Sequence, residues 1–77
     1  MRVTVVTYGF MTRITPQTGR PAEVDLPEGA TITMLIAALG VDSEDISLVM
    51  INGRRSNKDA LLAPGDQVRL FAPIGGG

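Results

Sequence analysis

The stretch from Thr31 to Gly40 holds the pattern that restricts the fold most. Ile32, Leu35, Ile36 and Leu39 recur at i, i+3, i+4 and i+7, which lays a single apolar stripe along a helix. Thr31 precedes the stripe and suits an N-cap, because its hydroxyl can accept from a backbone N–H that the first turn leaves unpaired. Gly40 follows where a left-handed residue ends a helix without a steric penalty. The predicted helix runs for roughly two and a half turns, too short to persist alone in water. It must lay its stripe on a sheet, and the rest of the chain has to supply one.

Strand signals lie on both sides of it. Residues 2–8 are rich in Val and Thr, and alternation puts Val3 and Val5 on one face with Arg2, Thr4, Val6 and Tyr8 on the other. Residues 9–20 carry Gly, Pro and several Thr and read as a long connection. Ala22 to Leu26 predicts a second strand, with Val24 pointing inward, ended by Pro27-Glu28-Gly29. Leu48-Val49-Met50-Ile51 predicts a third, and Asn52-Gly53 after it is a strong type I′ hairpin signal, because both central residues of that turn need positive φ. Residues 54–56 predict a brief return strand, Lys58 to Leu62 a single helical turn, and Pro64-Gly65-Asp66 another turn. The last strand, from Gln67 to Ala72, puts Val68, Leu70 and Ala72 on one face and Gln67, Arg69 and Phe71 on the other. Pro73-Ile74 then leads into Gly75-Gly76-Gly77. With no repeat and no linker, the expectation is one domain over residues 1–74 and a flexible glycine tail over 75–77.

Composition narrows the function more by what is missing. The 77 residues include no cysteine and no histidine. Disulfides, thiolate metal sites, cysteine nucleophiles and the usual histidine-based triads are therefore excluded, and no metal site or cofactor is expected. A chain of this length buries only roughly 60% of the surface its unfolded form exposes, which leaves no room for a deep catalytic cavity. Apolar residues make up 44% and charged residues 19%, too apolar for a disordered chain. A net charge of −1, without clustered Lys or Arg, argues against a nucleic-acid partner. Asp42, Glu44 and Asp45 form the one acidic cluster, read as a solvated connector in preference to part of a docking surface. Arg54 and Arg55 read as exposed hairpin charge, and Arg69 as a solvated strand charge in preference to a partner for an acidic group. No signal peptide or membrane-length apolar segment is recognisable, so a cytoplasmic protein without a membrane partner is the expectation.

Three segments in order carry a family resemblance: Val49-Met50-Ile51-Asn52-Gly53, then Leu62 with Pro64-Gly65-Asp66-Gln67-Val68, then Pro73-Ile74-Gly75-Gly76-Gly77. Together with Pro27-Glu28-Gly29-Ala30-Thr31 and its Leu/Ile helix, they resemble the sulfur-carrier family typified by MoaD and ThiS. The resemblance covers nearly the whole chain and is weakest over residues 9–22. It implies an α+β, ubiquitin-like β-grasp fold: a single mixed sheet with one helix packed across one face. Two positions depart from the family pattern. Three glycines stand where two are usual, and Ala72-Pro73-Ile74 replaces the common proline-proline-valine.

The resemblance also implies a chemistry. The Gly77 carboxylate would be adenylated by a ubiquitin-activating-type enzyme (MoeB/ThiF-like) and converted to a thiocarboxylate with a sulfur donor system. A large synthase subunit or equivalent acceptor enzyme would then take the sulfur, so the chain is a carrier and not itself an enzyme. Gly75 and Gly76 would thread the tail into the partner's site, since glycine has no Cβ to clash in a channel. Val6, Tyr8, Met50 and Phe71 fall opposite the core by alternation. In a β-grasp sheet the first and last strands are neighbours, so Val6, Tyr8 and Phe71 are expected to cluster as a partner-docking face. The competing arrangements have the 9–20 segment folded over that face, or a register one residue off that swaps the two faces. The length of that segment favours a molybdopterin synthase small subunit; the alternatives are a thiamine thiazole carrier, a ubiquitin-like protein modifier and a plain β-grasp binding module.

Overall fold

A computed structural model describes residues 1–8 and 21–72. The long connection expected over 9–20 and the glycine tail lie outside the described residues. In chain order the elements are β1 (Arg2–Tyr8), β2 (Ala22–Asp25), α1 (Ile32–Ala38), a 3₁₀ turn (Ser43–Asp45), β3 (Leu48–Ile51), β4 (Arg54–Ser56) and β5 (Gln67–Phe71). The strands form one sheet in the order β2-β1-β5-β3-β4. β1 and β5 pair in parallel at its centre, while β1–β2, β3–β5 and β3–β4 are antiparallel. The fold is the expected α+β, ubiquitin-like β-grasp.

Alternation sorts the strands cleanly. Val3 and Val5 of β1, Val49 of β3, and Val68 and Leu70 of β5 are all buried in one core with Ile32, Leu35 and Ile36 of α1. The helix therefore covers one face of the sheet, and Leu39 and Val24 pack at the margin of that core. No described helix is long and apolar enough to cross a membrane.

The ends of α1 show why such a short helix holds. The Thr31 hydroxyl accepts from the Met34 N–H at 3.3 Å, as an N-cap should. The Ile32 and Thr33 N–H groups, which no helical carbonyl can reach, donate to the Ala60 and Lys58 carbonyls at 3.1 and 3.0 Å. At the other end Gly40 has φ of +76°, with Gly40 N–H donating to the Ala37 carbonyl and Val41 N–H to the Ile36 carbonyl. This is a Schellman closure, and Val41 and Ile36 meet in the core as that motif favours.

The segment around Lys58 departs from expectation. Lys58 and Asp59 form a β-turn closed by the Ala60 N–H on the Asn57 carbonyl, and no helical turn follows. The carbonyls a helix would use internally are those engaged by the N-terminus of α1. Leu61 then bridges Thr31, and the Leu62 N–H donates to the Ala30 carbonyl. The acidic cluster also has more structure than a connector: the Asp42 side chain caps the 3₁₀ turn by accepting from the Glu44 N–H at 3.0 Å.

Asn52-Gly53 forms the expected hairpin, with φ of 53° and 82°. Its asparagine also reaches across the sheet. Asn52 Nδ2 donates to Asp66 Oδ1 at 2.9 Å, Asn52 Oδ1 accepts from the Gln67 N–H at 2.9 Å, and Asp66 Oδ2 accepts from the Ala63 N–H at 2.8 Å. Two separate turns are thereby joined where β5 begins. Replacing Asn52 by Ala removes both of its side-chain bonds and places a Cβ-bearing residue without local hydrogen bonding at positive φ. Urea denaturation should show a loss of about 1–3 kcal/mol for Asn52→Ala. The Asn52→Ala, Asp66→Ala double variant should lose less than the sum of the singles, because each removes the same bond. Strict additivity would show that the link contributes nothing.

Candidate functional site

The face of the sheet opposite α1 carries the residues expected to dock a partner. The parallel register pairs Val6 with Arg69 and Tyr8 with Phe71. The antiparallel register sets Met50 beside Arg69 and Leu48 beside Phe71, and Arg55 of β4 stands across from Met50. Two rows result. One reads Val6, Arg69, Met50, Arg55 across β1, β5, β3 and β4, and the next reads Tyr8, Phe71, Leu48. Val6, Tyr8, Met50 and Phe71 are each half-buried, as are side chains that lean on sheet neighbours with nothing packed above them among the described residues.

Tyr8 and Phe71 stack, with ring centroids 4.7 Å apart and planes 10° from parallel. Directly paired strand residues place their side chains close enough for this, and such a ring pair contributes about 0.5–1.5 kcal/mol beyond its buried area. Leu48 belongs to the same row and was missed by sequence reasoning. Its signal is the alternation of β3, which puts Leu48 and Met50 on one face and Val49 and Ile51 on the other.

The chain approaches its C-terminal segment beside this stack. The Ala72 N–H donates to the Tyr8 carbonyl at 3.1 Å, and Ala72 is buried. The Phe71 carbonyl accepts from both the backbone N–H and the hydroxyl of Ser47, at 2.8 and 3.1 Å. β1 and the residue just before β3 thus fasten the last described residues. Gly75, Gly76 and Gly77 lie outside the described residues.

At the opposite edge of the same face, Arg2 of β1 bonds Asp25 at 3.0 Å and Glu23 at 3.4 Å, both on β2. The hydrogen bond and charge of Arg2 hold the Asp25 carboxyl below the usual carboxylate range. All three groups are exposed, so solvent screens the pair. No group of three acidic, histidine or cysteine side chains that could hold a metal ion gathers among the described residues.

Comparisons with known proteins place this geometry. The ThiS family model matches residues 9–77. A putative molybdopterin converting factor, subunit 1, from Pyrococcus furiosus is 25% identical, with a TM-score of 0.74 over 96% of this chain and 99% of that one. Small archaeal modifier protein 1 of Haloferax volcanii is 20% identical, with a TM-score of 0.73 over 95% and 98%. A thiamine biosynthesis protein from Geobacter metallireducens is 28% identical, with a TM-score of 0.59 over 100% and 88%. No individually curated protein matches by sequence.

The stack makes a direct prediction, because Tyr8 is the sole tyrosine and there is no tryptophan. The Tyr8 ring protons should be shifted upfield by the Phe71 ring in NMR spectra and return toward ordinary values in Phe71→Ala. Unchanged Tyr8 shifts in that variant would refute the stacked arrangement. With the fold and the family model in agreement, the chain belongs to the ThiS family of ubiquitin-like sulfur-carrier proteins.

Proposed function

We propose that this protein is a sulfur carrier working through the Gly77 carboxylate. A ubiquitin-activating-type enzyme would join that carboxylate to the AMP portion of ATP, releasing pyrophosphate. A sulfur donor system would then form the C–S bond as the C–O bond to AMP breaks, leaving a thiocarboxylate and free AMP. An acceptor enzyme, such as a large synthase subunit, would receive the sulfur. The carrier contributes the electrophilic carbon and its partners contribute the catalytic groups. In this reading the work is cytoplasmic.

The observation that carries this reading is the family match, which runs through the Gly75-Gly76-Gly77 segment to residue 77. In this reading residues 1–74 are the domain that docks, and residues 75–77 thread into the partner's site. Val6, Tyr8, Met50 and Phe71 form the docking face, supported by their shared position on the side of the sheet away from α1. Aromatic residues in such a patch are favoured anchors of binding energy.

For the pathway we favour molybdopterin- or tungstopterin-type cofactor synthesis. The molybdopterin converting factor superposes better than the thiamine biosynthesis protein, at TM-scores of 0.74 and 0.59. A thiamine thiazole carrier is the second reading, supported by the slightly higher identity of 28%. A protein modifier would use the same tail and activation, and the likeness to the Haloferax protein supports it at the level of fold.

Intact mass spectrometry of the protein purified from its native source tests the chemistry. A species with one oxygen replaced by sulfur is expected, and it should vanish when Gly77 is deleted. An unmodified mass with an activating enzyme and sulfur donor present would contradict the carrier reading. Heavier lysine conjugates in its place would establish a modifier.

A further inference from the structure

The outer face is polarised, and its two ends differ in what they leave unpaired. At the β2 end, Glu23 and Asp25 are both engaged by Arg2. At the other end, Arg69 and Arg55 are exposed, and neither has an ion pair or hydrogen bond among the described side chains. The nearest acid along β5, Asp66, has one carboxylate oxygen on Asn52 Nδ2 and the other on the Ala63 N–H. The two arginines bracket Met50 in one row, on strands to either side of it. Neighbouring strands lie about 4.8 Å apart, so the backbones at Arg69 and Arg55 are separated by roughly 10 Å.

Guarding a free sheet edge is the ordinary use of strand arginines, and it accounts for Arg54 and Arg55 on the edge strand β4. It does not account for Arg69. β5 is the central strand, paired on both sides, and Arg69 stands between Val6 and Met50 where an apolar residue would pack better. An open cleft of about 290 Å³ at the β3–β4 edge is lined by Leu48, Arg55 and Lys58 among others, so Arg55 borders a concavity, which neither Met50 nor Arg69 lines.

We propose that the partner surface seated on this face carries two carboxylates, one for Arg69 and one for Arg55, on either side of an apolar contact to Met50. The inference rests on the carrier reading and deepens it, since the surface in question is that of the adenylating enzyme. The stacked Tyr8–Phe71 pair supplies contact area, and the arginine pair fixes orientation. A partner docked the other way round would set its acids against Glu23 and Asp25. Complementarity of this kind acts chiefly through the encounter rate and through rejection of wrong orientations.

The test is ATP-dependent adenylate formation, followed by pyrophosphate exchange, with the ubiquitin-activating-type enzyme encoded in the same organism. Arg69→Glu and Arg55→Glu should each lower kcat/KM by about tenfold or more at low salt, through KM rather than kcat. Each should also flatten the dependence of kcat/KM on ionic strength. Arg54→Glu, on the same hairpin but paired with Ile51 on the opposite face, should stay close to wild type. Thermal melts of each variant would check that it folds, and Arg69→Gln should give a milder version of the first change. Wild-type kinetics and salt slope in Arg69→Glu and Arg55→Glu would overturn the inference while leaving the carrier reading intact. An equal loss in Arg54→Glu would overturn it too, by reducing the effect to net charge. A wild-type chain that is never adenylated would overturn the carrier reading and this inference together.

Discussion

β1 and β5 run parallel at the centre of the sheet, and a parallel pair cannot be closed by a tight turn. The chain between them must cross over, and in this molecule the crossover includes α1. Because the helix lies on one face, the described elements leave the other face uncovered. The same pairing sets Tyr8 against Phe71 and Val6 against Arg69, and brings the Ala72 N–H to the Tyr8 carbonyl. The free face and the start of the C-terminal segment are thus two consequences of one strand pairing.

That pairing needs β5 to begin at a defined point, and polar contacts supply it. Asn52 and Asp66 tie the β3–β4 hairpin to the turn before β5, while the Thr4 N–H donates to the Asp66 carbonyl and the Gly65 N–H to the Arg2 carbonyl. A slip of one residue would turn Val68 and Leu70 to solvent and bury Arg69, so the core and these bonds specify the same register.

What was legible in the sequence follows the range of the interactions involved. Thr31 and Gly40 announce the ends of α1 because capping is decided within a few residues. Asn52-Gly53 announces its hairpin for the same reason, and alternation in β1, β3 and β5 was enough to place Val6, Tyr8, Met50 and Phe71 on one face. The Lys58–Leu62 segment was misread because its carbonyls serve the N-terminus of a helix more than twenty residues earlier, a partner no local pattern reveals. The Asn52–Asp66 link was hidden likewise, since each residue already had a sufficient local explanation as a turn former. Leu48 was overlooked although the alternation of its own strand contained the signal, and the acidic segment after Val41 was read as a solvated connector with no 3₁₀ turn assigned to it.

The central claim is that the face opposite α1, together with the tail, is what an activating enzyme reads. Amide hydrogen exchange of the full chain, alone and bound to that enzyme with ATP, tests it most directly. The helical side offers its own exposed apolar residues, Met34 and Leu61, as the natural competitor. The account predicts slowed exchange along β1, β3 and β5 around Val6, Tyr8, Met50 and Phe71, with α1 and the Leu61 segment unchanged. Protection centred on Met34 and Leu61, with β1 and β5 unaltered, would contradict it.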